Sequence, residues 1–157
     1  MRQLGQASER IVTLDNLAKG FRDAVRYGDF VEGDTEDRAV VSKILNDYQL
    51  DTVVHFAAHT IVPESMADPL KYYRNNTCSS RTLLEAAAGH GVRNIVFSST
   101  AAVYGIPDHH PLYETDDVDG VGPYGEAKVQ AEQVCFEFRE QGMCIPMVRP
   151  KSFIGPE

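Results

Sequence analysis

Short β-branched apolar runs alternate with stretches of helical spacing along nearly the whole chain, and this alternation limits the fold more than any other feature. Ile11-Val12-Thr13-Leu14 and Phe30-Val31 are the first two runs, and Thr52-Val53-Val54-His55-Phe56 and Asn94-Ile95-Val96-Phe97 the next two. Cys144 to Val148 forms the last. Between them, Val40, Val41, Ile44 and Leu45 recur at helical spacing, and longer helical stretches cover Pro69 to His90 and Tyr124 to Gln141. The run 52–56 is almost continuously apolar, which suits a strand covered on both faces. Strand and helix in this order predict a parallel sheet with right-handed crossovers, the doubly wound α/β class. At 157 residues the chain has room for one domain with one core.

The net charge of −8 argues against a nucleic-acid backbone or an anionic membrane surface as the main partner. No run of eighteen apolar residues is present, so no transmembrane helix is expected. Met1 to Arg10 is polar and lacks the apolar centre of a signal peptide. Cys78, Cys135 and Cys144 are odd in number and scattered, which reads as reduced thiols in a cytoplasmic protein. They do not have the spacing of a disulfide framework or a zinc site, and no metal is expected.

In an open parallel sheet, ligands bind beyond the carboxyl ends of the strands. The residues at those ends are Asp15-Asn16, Gly33-Asp34, Ala57-Ala58 and Ser98-Ser99-Thr100, all small, polar or acidic. Small side chains let a nucleotide approach the backbone, and carboxylates accept hydrogen bonds from ribose or adenine. Tyr124 and Lys128 stand four apart on a predicted helix, which places both on one face. A tyrosine hydroxyl titrates near ~10 in water, and an adjacent ammonium favours its ionised form. A hydroxyl from Ser99 or Thr100 at the neighbouring strand end would hold a substrate oxygen beside it.

These blocks, in their order, resemble the extended short-chain dehydrogenase/reductase family, the NAD-dependent epimerases and dehydratases. The resemblance runs through Thr13-Leu14-Asp15-Asn16-Leu17, Phe30-Val31-Glu32-Gly33-Asp34 and Val54-His55-Phe56-Ala57-Ala58. It continues with Tyr72-Tyr73-Arg74-Asn75-Asn76, Ser98 to Gly105, and Pro123-Tyr124-Gly125-Glu126-Ala127-Lys128. It implies that NAD is the cofactor, with Asp15 on the adenosine ribose, Asn16 beside it and Asp34 at the adenine. Phe56, Ala57 and Ala58 would line the cofactor, and Asn75, Asn76 and Ser98 would complete its pocket. Thr100 would orient a hydroxyl of a nucleotide-sugar substrate, Tyr124 would act as base, and Lys128 would bind the nicotinamide ribose. Dehydratases of the family carry acids where this chain has Ala101 and Ala102, and alanine cannot protonate a departing hydroxyl. The resemblance therefore favours a sugar-nucleotide 4-epimerase over a dehydratase or reductase.

The family's first strand and its Gly-x-x-Gly-x-x-Gly turn find no match here, and neither does its substrate domain. In strand order 3-2-1-4-5-6 the unmatched strand would lie between those ending at Asp15 and Phe56. The expectation is a single partial dinucleotide-binding domain, inactive by itself, whose two half-sheets close on each other, accept a strand from another chain or fail to fold stably. A non-catalytic dinucleotide-binding module is the reading from another class. Lys151-Ser152 stands where related epimerases have an aromatic-Asn pair. His55 reads as a satisfied buried histidine, while His59 is placed to face the cofactor or to pack. Phe136 and Phe138 read as core first and as a homodimer face second.

Overall fold

The computed structural model describes residues 2–7 and 9–151. Ser152 and the residues after it, including the second member of the Lys151-Ser152 pair, lie outside the described residues. Strand β1 (Val12–Asp15) pairs in parallel with β2 (Asp29–Glu32), from Val12 opposite Asp29 to Asp15 opposite Glu32. Strands β3 (Thr52–His55), β4 (Asn94–Ser98) and β5 (Met147–Val148) form a second parallel sheet in that order. Among the described residues no ladder joins the two sheets. The division falls where the sequence places it, between the strand ending at Asp15 and the one leading to Phe56.

Helix α1 (Arg2–Gln6) precedes β1. Helix α2 (Arg38–Tyr48) starts under Asp37, whose carboxylate accepts hydrogen bonds from the Ala39 and Val40 N–H groups at 2.9 and 3.2 Å. Helices α3 (Val62–Ala67) and α4 (Pro69–Tyr72) follow β3. The single helix expected from Pro69 to His90 is instead α4, a π-helical turn (Tyr73–Cys78) and α5 (Ser79–Gly89). The Ser79 and Ser80 hydroxyls donate to the Arg74 and Asn76 carbonyls at 3.2 and 2.7 Å, supplying donors that the wide turn would otherwise lack. Helix α6 (Gly122–Glu140) leads to β5. That last strand is shorter than expected because Pro146 offers no N–H, and Cys144 is left in an isolated bridge to Asn94. No described helix is long and apolar enough to cross a membrane.

The core is built around β4. Ile95 and Phe97 are enclosed by Val41 and Leu45 of α2, Leu84 and Ala87 of α5, and Ala131, Cys135 and Phe138 of α6. Phe138 is therefore core, whereas Phe136 is exposed. One expectation needs correction: Val54 is 43% and Phe56 61% exposed, so the 52–56 run is covered on one face only. Its alternate residues Val53 and His55 face inward, and the opposite side is open to solvent. All four β1 residues are likewise only half-buried. The two-stranded sheet is held to the rest by α2 packing on α5, aided by an ion pair of 3.9 Å between Arg38 and Glu85.

Elements with few fully buried contacts open at lower free energy than the core. Amide hydrogen exchange in β1 and β2 is expected to be faster than in β4, and the reverse ranking would contradict this packing.

Candidate functional site

Helix α6 sets the corner that holds Tyr124 and Lys128. Gly122, at φ +73°, turns the chain into the helix, Pro123 occupies its first turn, and Tyr124 follows directly. Gly125 is required by close approach, because a Cβ there would sit 3.1 Å from the Ala102 carbonyl oxygen. This lets the start of α6 rest on the short 3-10 turn Ala101–Tyr104 that follows β4. Thr100 caps that turn, its hydroxyl oxygen accepting the Ala102 N–H at 3.2 Å. The hydroxyl proton is left to donate elsewhere.

One turn beyond Tyr124, Lys128 is buried. Its ammonium donates to the Ser98 carbonyl at 2.9 Å and lies 5.1 Å from the centre of the Phe97 ring. Burial lowers its pKa to about 8, opposed by the negative charge of Glu132 one turn later. The group therefore remains mostly charged at neutral pH. The Ser99 hydroxyl, next in sequence to Ser98, is buried and has no hydrogen-bond partner among the described residues.

A second group of residues lines a cavity of about 170 Å³ across the ends of β1, β2 and β3. Asp15, Asn16 and Asp34 come from the two-stranded sheet, and Phe56, Ala57, Ala58 and Asn75 from the other half. One Asp15 oxygen accepts the Leu17 N–H at 2.7 Å, and the Asn16 amide donates to Asp34 at 2.8 Å. Gly20 faces Asp15 so closely that a Cβ would meet its carboxylate at 3.0 Å, which keeps that wall open. The cavity is smaller than the ~300 to 1,000 Å³ usual for sites that bury a whole ligand of drug size, so it accommodates part of a dinucleotide. An adjoining cavity of about 380 Å³, lined by Glu36, Asp68, Lys71 and Arg74, contains none of Thr100, Tyr124 or Lys128. His59 and Asn75 line both cavities.

The two groups are linked by residues that spacing alone did not single out for this purpose. Asn76 is fully buried and holds the chain after β3 at both ends of one residue: its side-chain oxygen accepts the His59 N–H at 2.8 Å, and its amide donates to the His59 carbonyl at 2.9 Å. Tyr72 is also fully buried, with its ring edge-on to Tyr124 at 6.3 Å and tilted against His59 at 5.5 Å. Arg149 forks onto Glu132 at 2.9 and 2.6 Å and donates to the Tyr104 hydroxyl at 2.9 Å, tying β5, α6 and the Thr100 turn together. Tyr72 stands in a block that carries the family resemblance but received no role there, and Glu132 carried no signal, because a buried acid looks like an ordinary helix residue in the sequence. His109 and His110 are exposed, and no cluster of metal-ligating side chains occurs among the described residues.

His55 is buried as expected, with Nε2 2.8 Å from the Ser80 hydroxyl. Since that hydroxyl donates to Asn76, Nε2 must carry the proton, and the ring is neutral. Burial first, and the Lys128 charge second, lower its pKa from 6.5 to about 3. Below pH 6.5 the unfolded chain binds a proton that the folded chain refuses, so stability falls as pH drops from 6.5 toward 3. The slope is about 1.4 kcal/mol per pH unit for one such group. Denaturation of a His55→Gln variant followed between pH 7 and pH 4 should show a shallower loss than the parent; parallel curves would remove His55 as the cause.

Comparison with known proteins bears directly on this arrangement. The family model described as the NAD dependent epimerase/dehydratase family matches residues 1–157. A UDP-glucose 4-epimerase of Lacticaseibacillus casei is 48% identical over 135 residues, which cover 85% of this chain and 41% of that protein. A probable UDP-arabinose 4-epimerase of Arabidopsis thaliana is 37% identical over 161 residues, covering 96% of this chain and 39% of that protein. Among solved structures, UDP-glucose 4-epimerase from Brucella ovis in complex with NAD superposes with a TM-score of 0.96 at 36% identity, over 99% of this chain and 48% of that one. The chain thus spans about two fifths of these curated relatives and about half of the solved one. With the family model matched over residues 1–157 and the fold superposing on a solved NAD-bound epimerase, the chain belongs to the NAD dependent epimerase/dehydratase family.

Proposed function

We propose that residues 1–157 form the cofactor-binding part of a nucleotide-sugar 4-epimerase acting with NAD, and that Tyr124 and Lys128 are its reactive pair. The observation that carries this reading is the buried Lys128 ammonium, docked on the Ser98 carbonyl at the end of β4, with Tyr124 one turn before it. A buried ammonium beside a tyrosine one turn away is costly to stability, so its presence favours a use in chemistry.

The pocket residues suit the cofactor. Asp15 retains a carboxylate oxygen for a ribose hydroxyl, Asp34 lies where an adenine amino group would donate, and Ala57 and Ala58 present no bulk to the dinucleotide. NAD, when bound, would accept a hydride from the sugar carbon and return it to the other face. Tyr124 would take and return the proton of the C4 hydroxyl, while Thr100 uses its remaining O–H to hold that oxygen. Lys128 would donate to the nicotinamide ribose and keep positive charge beside Tyr124. Ala101 and Ala102 place no acid near a neighbouring hydroxyl, which supports epimerization over elimination. UDP-glucose is the first substrate to test, because it is named in several of the relatives.

No Gly-x-x-Gly-x-x-Gly turn occurs in the 157 residues, and such a turn brings a pyrophosphate onto a helix N-terminus. That observation favours, as a second reading, a dinucleotide-binding module without turnover of its own. NAD titration by calorimetry and conversion of UDP-glucose to UDP-galactose separate the two. The first reading expects NAD binding by the chain and, once residues 1–157 replace the matching part of the Lacticaseibacillus casei relative, turnover that Tyr124→Phe lowers by about 100-fold or more with NAD affinity nearly unchanged. Binding without turnover in that hybrid supports the module; no binding of NAD by the chain contradicts both.

A further inference from the structure

The π-helical turn is placed between the two groups of functional residues and touches both. On one side it meets α6 around the reactive pair: the Thr77 hydroxyl donates to the Ala127 carbonyl at 2.9 Å, and the Tyr73 hydroxyl donates to the Glu126 carboxylate. The ring of Tyr72, immediately before the turn, lies edge-on to Tyr124. On the other side the same segment holds the chain that follows β3. The Tyr72 hydroxyl accepts the Ile61 N–H at 3.1 Å, and its one proton faces two acceptors, the Ile61 carbonyl at 2.7 Å and a Glu64 carboxylate oxygen at 2.9 Å. Asn76 makes its paired hydrogen bonds to His59. Below, the Asn76 carbonyl accepts from Ser80, which in turn accepts from His55 on β3.

An ordinary α-helix repeats every 3.6 residues, so neighbours such as Asn76 and Thr77 point about 100° apart and cannot be adjusted separately. The extra residue in a π-turn alters that phase once, locally, and such turns recur at functional sites. Here the altered phase lets Asn76 reach His59 while Thr77 reaches Ala127. Tyr72 is fully buried, so these attachments are not exchanged for water.

We propose that Tyr72 and Thr77 are positioning residues: through the π-turn they hold Tyr124 and Lys128 at a fixed distance from the 57–61 loop. Neither residue needs to touch a reacting atom. The inference rests on the reading that the loop and the reactive pair serve one bound dinucleotide. Its distinctive consequence is reciprocity, since a rigid link must transmit a cut on either side to the other.

The test uses the whole chain, with residue-resolved amide exchange and calorimetric NAD affinity measured for Thr77→Val, Thr77→Ser and Tyr72→Phe. Thr77→Val removes the bond to α6 and should speed exchange in the 57–61 loop. It should also weaken NAD binding about three- to tenfold, the ordinary worth of one lost hydrogen bond. Thr77→Ser keeps the donor and should restore both. Tyr72→Phe keeps the ring against Tyr124, cuts the loop attachment, and should speed exchange at Gly125 to Lys128. Changes confined to the side that was cut would overturn the proposal, as would Thr77→Ser failing to rescue. If the parent chain binds no NAD, the functional reading fails, and the exchange pattern still decides for or against the link.

Discussion

The arrangement of everything at the strand ends depends on how two parallel half-sheets are held together without a shared ladder. In a continuous sheet, backbone hydrogen bonds fix neighbouring strand ends to within fractions of an ångström, and a ligand crevice inherits that precision. Here β1 and β2 are joined to β3, β4 and β5 through side chains instead. Helix α2 packs on α5, and Arg74 forks onto Glu36 at 2.7 to 3.1 Å between the π-turn and the loop after β2. Lys19 approaches Glu64 at 3.9 Å in the same direction. The ion pairs are exposed and weakly stabilising, so the α2–α5 contact must carry most of the load. The candidate cofactor pocket draws its lining from both halves, Asp15 and Asp34 from one and Phe56 and Asn75 from the other among them, and its shape follows that contact directly.

The reactive corner is ordered differently. It lies wholly within the better-packed half, where β4 is enclosed by α5 and α6. Lys128 there is destabilising at neutral pH: its folded pKa of about 8 is below the ordinary 10.5, so the cost is present in full below pH 8 and disappears as pH rises toward 10.5. The Ser98 carbonyl and the face of Phe97 offset part of that cost without neutralising the charge. A core that surrounds an ammonium with one carbonyl and one ring leaves the remaining N–H bonds for something else.

The sequence made some of this legible and hid the rest for physical reasons. Asp15, Asp34, Ala57 and Ala58 could be placed because a strand end is marked by an abrupt change from β-branched to small or acidic residues. Tyr124 and Lys128 were readable from the i, i+4 rule and from their neighbours. The division of the sheet was also anticipated. The exposed sides of Val54 and Phe56 were not, because an apolar run reports the environment a strand is suited to, not what lies over it here. The π-turn was invisible since its residues have ordinary helical character, and the hydroxyls of Ser79 and Ser80 that support it are common in helices. Tyr72 was visible as part of a family-like block, but without a role. Its role emerges only when its ring and hydroxyl are seen to face different elements.

The central claim is that two half-sheets present one dinucleotide crevice. An NMR titration of the chain with NAD tests it most directly, by following the amides of Asn16 and Asp34 on one half and of Ala58 and Ser98 on the other. The account predicts that all four shift together and saturate with a single dissociation constant. Shifts confined to one half, or two distinct constants for the two halves, would contradict it.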